Sequence, residues 1–143
     1  MRARRRWAAF VGALAVLAAL PLLPASADDQ VLERLHRLRD EGVGLTLDAF
    51  GRQPLELSMI TRIHASTLKI DRTLTALTTR PPGTARILAG VVGLADRLGL
   101  SCIAEGIETR AQAEAAMALG LRCGQGFYFG KPVDPEEALA AFE

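Results

Sequence analysis

Residues 94–112 read LADRLGLSCIAEGIETRAQ, and this stretch decides the fold. Leu94, Ala95 and Leu98 continue a helical apolar spacing, and Gly99 closes it, as glycine does just past a helix end. Residues 100–105, LSCIAE, form a short apolar run with strand character that terminates in Glu105. Thr109 and Gln112 then match the capping box that opens a new helix. Helix, strand and helix follow one another within 19 residues, with a carboxylate at the strand's end.

Working outward, the same unit recurs. Upstream, Ile87, Leu88, Val91, Val92, Ala95 and Leu98 share one helical face. Before that helix, Pro81-Pro82-Gly83 marks a loop over residues 78–83. Residues 66–71, STLKID, read as a strand, residues 51–63 as a loop plus a short helix, and residues 43–48, VGLTLD, as a further strand. Gly42 ends a helix whose apolar side is Val31, Leu32, Leu35 and Leu38. Downstream, an Ala-rich helix ends at Gly120. Residues 121–129 hold a fourth strand broken by Gly124 and Gly126, and Pro135 starts a last helix at the position where proline is tolerated. Strands separated by helices pair in parallel, so the chain is expected to be α/β.

The polar residues gather at strand ends. Asp48 ends the first strand, Lys69 and Asp71 the second, Glu105 the third and Gln125 the fourth. Parallel sheets and barrels build their sites at this end. Carboxylates with one lysine suit metal-assisted phosphoryl chemistry. Hard oxygens hold Mg²⁺ or Mn²⁺, the ion acidifies a bound water, and the lysine adds charge near nucleophile or phosphate.

Four stretches carry a family resemblance: LTLDAFG (45–51), STLKIDR (66–72), LADRLGLSCIAEGIETRAQ (94–112) and LGLRCGQGFYFGKPV (119–133). In order and spacing they resemble the last four strand segments of EAL-type cyclic di-GMP phosphodiesterases, over about residues 31–143. The resemblance implies a partial (β/α) barrel of TIM-like type with about four β/α units. It implies hydrolysis of cyclic di-GMP to linear pGpG with Mg²⁺ or Mn²⁺. It makes Asp48 a metal ligand, Lys69 the lysine that orders the attacking water, and Glu105 a metal ligand or general base. Glu108 corresponds to a glutamate that props the loop after the aspartates, although a charge favoured by the helix N-terminus would also explain it. Gln125 corresponds to a glutamine at the site's rim, and Asp71 is the acid beside the lysine.

The chain departs from that family at three points. The Glu-Ala-Leu strand is absent, with the asparagine and glutamate of the family's first strands. Ala49 stands where the family has a second aspartate. The loop GRQPLELSM (51–59) lacks the Gly-Thr-Gly-Tyr-Ser-Ser run that the family uses for substrate binding and dimerisation. An eight-stranded α/β barrel also takes about 250 residues. Four strands leave two open sheet edges and, by expectation, an exposed inner face of apolar side chains that calls for a second copy or another half-barrel.

Residues 1–27 are of a different kind. Arg2, Arg4, Arg5 and Arg6 precede the uncharged run WAAFVGALAVLAALPLL (7–23), and Ala25-Ser26-Ala27 then gives a small-x-small pattern. This is the layout of a secretory signal. A cleaved leader, an uncleaved anchor and translated upstream sequence all stay open. The expected domains are thus a signal-like segment at 1–27 and an EAL part at 28–143. A real leader implies export or membrane anchoring, a spurious one the cytoplasm.

The net charge of +1 gives no footprint for a nucleic-acid polymer, and the 50% apolar content excludes a disordered chain. Cys102 and Cys123 are too few for a disulfide framework; strand alternation turns them to opposite faces as core thiols. His36 and His64 show no metal-ligand spacing. The motifs beside the missing ligands point first to a catalytically silent relative that keeps weak nucleotide or protein binding. The alternatives are an active phosphodiesterase completed by a missing N-terminal half or partner chain, and an exported or tethered interaction module without catalysis.

Overall fold

A computed structural model describes residues 29–52, 57–79 and 82–134. The signal-like segment and the helix expected from Pro135 lie outside them. Helix α1 (Asp29–Asp40) leads into strand β1 (Thr46–Phe50), helix α2 (Leu57–Ile63) and strand β2 (Thr67–Ile70). Helix α3 (Arg72–Thr75) and a 3₁₀ turn (Ala76–Thr79) follow. Then come helix α4 (Pro82–Arg97), strand β3 (Ser101–Ala104), helix α5 (Arg110–Ala118) and strand β4 (Cys123–Gly124). All four strands form one parallel sheet in the order β1-β2-β3-β4. Among the described residues, no helix is long and apolar enough to cross a membrane.

The sheet has two unlike faces. Leu47, Leu68 and Cys102 are in register, as are Ile70, Ala104 and Gly124. These residues face the helices. Ile70 and Ala104 pack with Leu88 of α4 and with Ala113 and Ala116 of α5 in one core. Leu45 and Leu47 join Leu32, Leu35, Met59 and Ile63 from α1 and α2 in a second. The other face carries Thr46, Thr67, Ser101, Ile103 and Cys123 in register, with Asp48, Lys69 and Glu105 at its C-terminal end. The expected apolar inner face is therefore corrected: apart from Ile103 and Cys123 it is polar. Thr46 and Thr67 are nonetheless buried, and the Thr46 hydroxyl is a buried polar atom without a hydrogen bond.

Several boundaries differ from expectation for local reasons. The first strand runs past Asp48 to Phe50, with an irregularity in register between Leu47 and Phe50 where Ala49 turns left-handed (φ 55°). The fourth strand is only two residues long, because Gly126 (φ 154°) bends the backbone and the Phe129 N–H bonds the Gly126 carbonyl in a turn. The α3–3₁₀ segment was not foreseen; Asp71 creates it by capping α3. On α4 the buried stripe is Leu88, Val91, Val92 and Ala95, while Ile87 and Leu98 are exposed. Leu38 of α1 is likewise exposed. Both cysteines are free and half-buried, on opposite faces as alternation requires. Burial, with the charge of Asp96, pushes the Cys102 thiol up to about 11.

Candidate functional site

The site is built on β2. Alternation sends Leu68 and Ile70 into the helix-facing core and Lys69 to the other face. The strands on either side then aim carboxylates at it. The Lys69 ammonium donates to Glu105 Oε1 at 2.5 Å and to Asp48 Oδ1 at 3.3 Å. The three side chains keep 12%, 23% and 19% of their surface exposed, so the cluster is largely shielded from water. Burial works against the Lys69 charge, but the hydrogen bond and charge of Glu105, then the charge and hydrogen bond of Asp48, outweigh it and raise its pKa above the ordinary lysine value. Of the six residues singled out in the sequence, Asp48, Lys69 and Glu105 come together.

The other three do different work. Asp71 is buried beneath the site, where its Oδ1 accepts the backbone N–H of Thr73 at 2.8 Å and the Thr73 hydroxyl at 2.7 Å. Its desolvation is outweighed by these two bonds and by the charges of Arg52 and Arg72, which hold its carboxyl below the ordinary value. It is the N-cap of α3 and fixes the chain directly after Lys69. Glu108 is exposed; its backbone N–H donates to Gln112 Oε1 next to the capping box of Thr109 and Gln112. Gln125 is also exposed, and its backbone is tied on both sides: its N–H donates to the Ala104 carbonyl and its carbonyl accepts from the Ile107 N–H. Arg52, Arg72 and Thr73 were missed in the sequence. The Asp71-x-Thr73 spacing, a local cap signal, could have found Thr73.

Two glycines bring the loops behind the site together. A side chain at Gly106 would meet Cβ of Arg72, and one at Gly126 would meet the backbone of Ile107. Both residues also have positive φ, which glycine alone adopts without strain. Ala49 (φ 55°) also has positive φ, without that freedom. Its N–H is held by Asp48 Oδ1 at 2.8 Å. Aspartate visits this conformation more readily than alanine. The backbone at Ala49 thus has the shape that suits the aspartate of the resemblance, and the side chain does not supply it.

A bound Mg²⁺ calls for near-octahedral oxygen coordination. Asp48 and Glu105 offer hard oxygens, but both are turned to the Lys69 ammonium. Among the described residues no group of three or more His, Cys, Asp or Glu side chains is placed to hold a metal ion. The residues present do not fit a divalent cation in this chain by itself.

A parallel α/β sheet whose C-terminal strand ends carry a lysine bridged by two carboxylates belongs to the class of α/β proteins that build polar sites at strand ends. The EAL domain model matches residues 20–132, beginning inside the signal-like segment, and the chain belongs to that family. It is 38% identical over 113 residues to the bifunctional diguanylate cyclase/cyclic di-GMP phosphodiesterase MucR of Pseudomonas aeruginosa, covering 79% of this chain and 16% of MucR. The crystal structure of the EAL domain of Mycobacterium smegmatis DcpA superposes with a TM-score of 0.74 at 33% identity, over 79% of this chain and 51% of that one. The manganese and cyclic di-GMP complex of Klebsiella pneumoniae BlrP1 does so with a TM-score of 0.69 at 32% identity, over 76% of this chain and 28% of that one. The chain spans less than a third of the length of the first curated relatives it matches. It is a partial EAL domain.

Proposed function

We propose that this chain forms a partial (β/α) barrel that by itself does not hydrolyse cyclic di-GMP and retains at most weak binding of that nucleotide. The observation that carries this reading is the ion-paired Lys69. Its ammonium takes one oxygen each of Asp48 and Glu105, the two carboxylates that a metal would need. Ala49 adds no third carboxylate. In this reading Lys69 and Glu105 hold the places of catalytic residues, and Asp48 with Glu105 the place of metal ligands. Gln125 stands at the rim, Glu108 holds the place of the glutamate that props the loop after Asp48, and Asp71 positions the chain beside Lys69. The EAL part runs from about residue 28, after the signal-like segment.

A second reading follows from how well the half is kept. β1, β2 and β3 are in parallel register, and the three polar side chains converge. A chain supplying the first half of the barrel would restore the ligands of the missing strands and with them phosphodiesterase activity, reduced by Ala49.

Purified full-length chain, incubated with cyclic di-GMP and Mg²⁺ or Mn²⁺, is expected to release no pGpG above a protein-free control. Metal-dependent turnover that Glu105→Ala abolishes would reject the silent reading. The second reading requires such turnover when a first-half fragment of a relative is added.

A further inference from the structure

We infer that two copies of this chain close one eight-stranded parallel barrel, β4 of each copy pairing with β1 of the other. The inference rests on the partial-barrel reading above. β1 and β4 are the edges of the sheet. The Leu45 carbonyl accepts from Ser66 and Thr67, on the β2 side. Successive residues of a strand alternate their polar groups, so Thr46 turns its N–H and carbonyl to the open side. On β4 the Gln125 N–H points to Ala104, which turns the Gly124 N–H to the open side. Among the described residues each edge thus offers an unpaired parallel ladder, which is an association hazard until it is covered.

The two edges are unlike, so one copy meets the next head to tail. Such a contact either closes into a ring or runs on as a filament. Eight parallel strands are the number at which α/β sheets close, and the described residues bring four. It also covers 51% of a solved EAL domain, so two copies make one domain's worth of sheet. Apolar side chains accompany both edges. Phe127 is 62% exposed and Val133 49%, in the segment that leaves β4, with exposed Phe129 between them. Leu38 is exposed on α1, the helix preceding β1. The polar face with Thr46, Thr67 and Ser101 becomes the barrel lumen. All strands run in the same sense along the twofold axis, at the tilt of about 36° that closure requires, so both Asp48–Lys69–Glu105 clusters open at the same mouth. The second copy repeats the same side chains and brings no Glu-Ala-Leu strand, so closure leaves the site without the missing ligands.

Light scattering on the purified full-length chain should give twice its mass of 15.3 kDa. A monomer, or an open-ended series of larger species, would overturn the inference. The double variant Phe127→Glu, Phe129→Glu should shift the mass to that of one chain. Ile87→Glu, exposed on α4 away from both edges, should leave the doubled mass unchanged. Dissociation by Ile87→Glu with none by the phenylalanine variant would mean association through the helical layer and would overturn it equally. Hydrogen exchange on the unaltered chain decides the matter if the phenylalanine variant fails to fold. The Thr46 and Gly124 amides should be protected at least a hundredfold, and free exchange at both contradicts closure. Turnover of cyclic di-GMP by a dimer would reject the silent reading and leave closure standing; a monomer without turnover would do the reverse.

Discussion

Gly126→Ala is expected to destabilise the fold by about 3 kcal/mol or more, a large effect for a single methyl group. Gly126 has φ 154°, in the region that side chains rarely enter. A Cβ there would overlap the carbonyl oxygen and the amide nitrogen of Ile107. Backbone cannot swing away as the end of a side chain can. The crowded segment is also tied at both ends: the Ile107 N–H donates to the Gln125 carbonyl at 3.1 Å, and the Tyr128 N–H to the Ile107 carbonyl at 3.0 Å. Ile107 itself is wholly buried in the core beneath α4 and α5. Making room for the methyl therefore breaks these bonds or lifts Ile107 out of its packing. Overpacking costs about 1–3 kcal/mol and a forced backbone conformation a similar amount. The denaturant midpoint of the variant, measured by circular dichroism, gives the number. A loss under about 1 kcal/mol would show that the two loops are not packed backbone to backbone.

Lys69→Met is the second large effect. It leaves Asp48 and Glu105 facing one another without the cation that joins them. Breaking a buried ion pair costs about 3–5 kcal/mol. The carboxylates here keep about a fifth of their surface in water, so a loss of about 2 kcal/mol is expected. Adding Asp48→Asn and Glu105→Gln to Lys69→Met should recover most of it, because the uncompensated charges are then gone. An equal loss in the single and triple variants would assign the effect to packing of the lysine stem. The pH dependence has a definite sign. The Lys69 pKa is raised above its ordinary value of 10.5 in the folded chain. Its stabilisation is complete below 10.5 and fades as pH rises through the higher folded value. The gap between the unaltered chain and Lys69→Met should be constant through neutral pH and close on the alkaline side as Lys69 loses its proton.

The sheet was legible because its signals are local and repeated. Gly42, Gly99 and Gly120 stop helices, Thr109 with Gln112 starts one, and the apolar runs between them are of strand length. Asp48, Lys69 and Glu105 were legible as a group because each sits at the end of such a run, and parallel strands bring their ends together. The convergence of both carboxylates on Lys69 was not, since chain order says nothing about which acid a lysine will choose. Asp71 was placed among the site residues for its neighbour; the structure makes it a cap, and its partner Thr73 lay two residues away. The fourth strand was drawn too long because its apolar and aromatic composition persists to Phe129 while Gly126 has already turned the backbone. The polar inner face was hidden for a related reason. Period-2 alternation in strands of four or five residues leaves only two inward positions each, and the outward leucines and isoleucines dominate the composition.

Asp48 and Glu105 are bound to Lys69, and we propose that they do not hold a metal in this chain. Titration of the full-length chain with Mn²⁺, followed by the electron paramagnetic resonance signal of free Mn²⁺, tests it without reference to turnover. No saturable binding below about 1 mM is expected, because the Lys69 ammonium already compensates the two carboxylates and no third acidic ligand is placed beside them among the described residues. Saturable binding in the micromolar range, lost in Glu105→Gln, would contradict it.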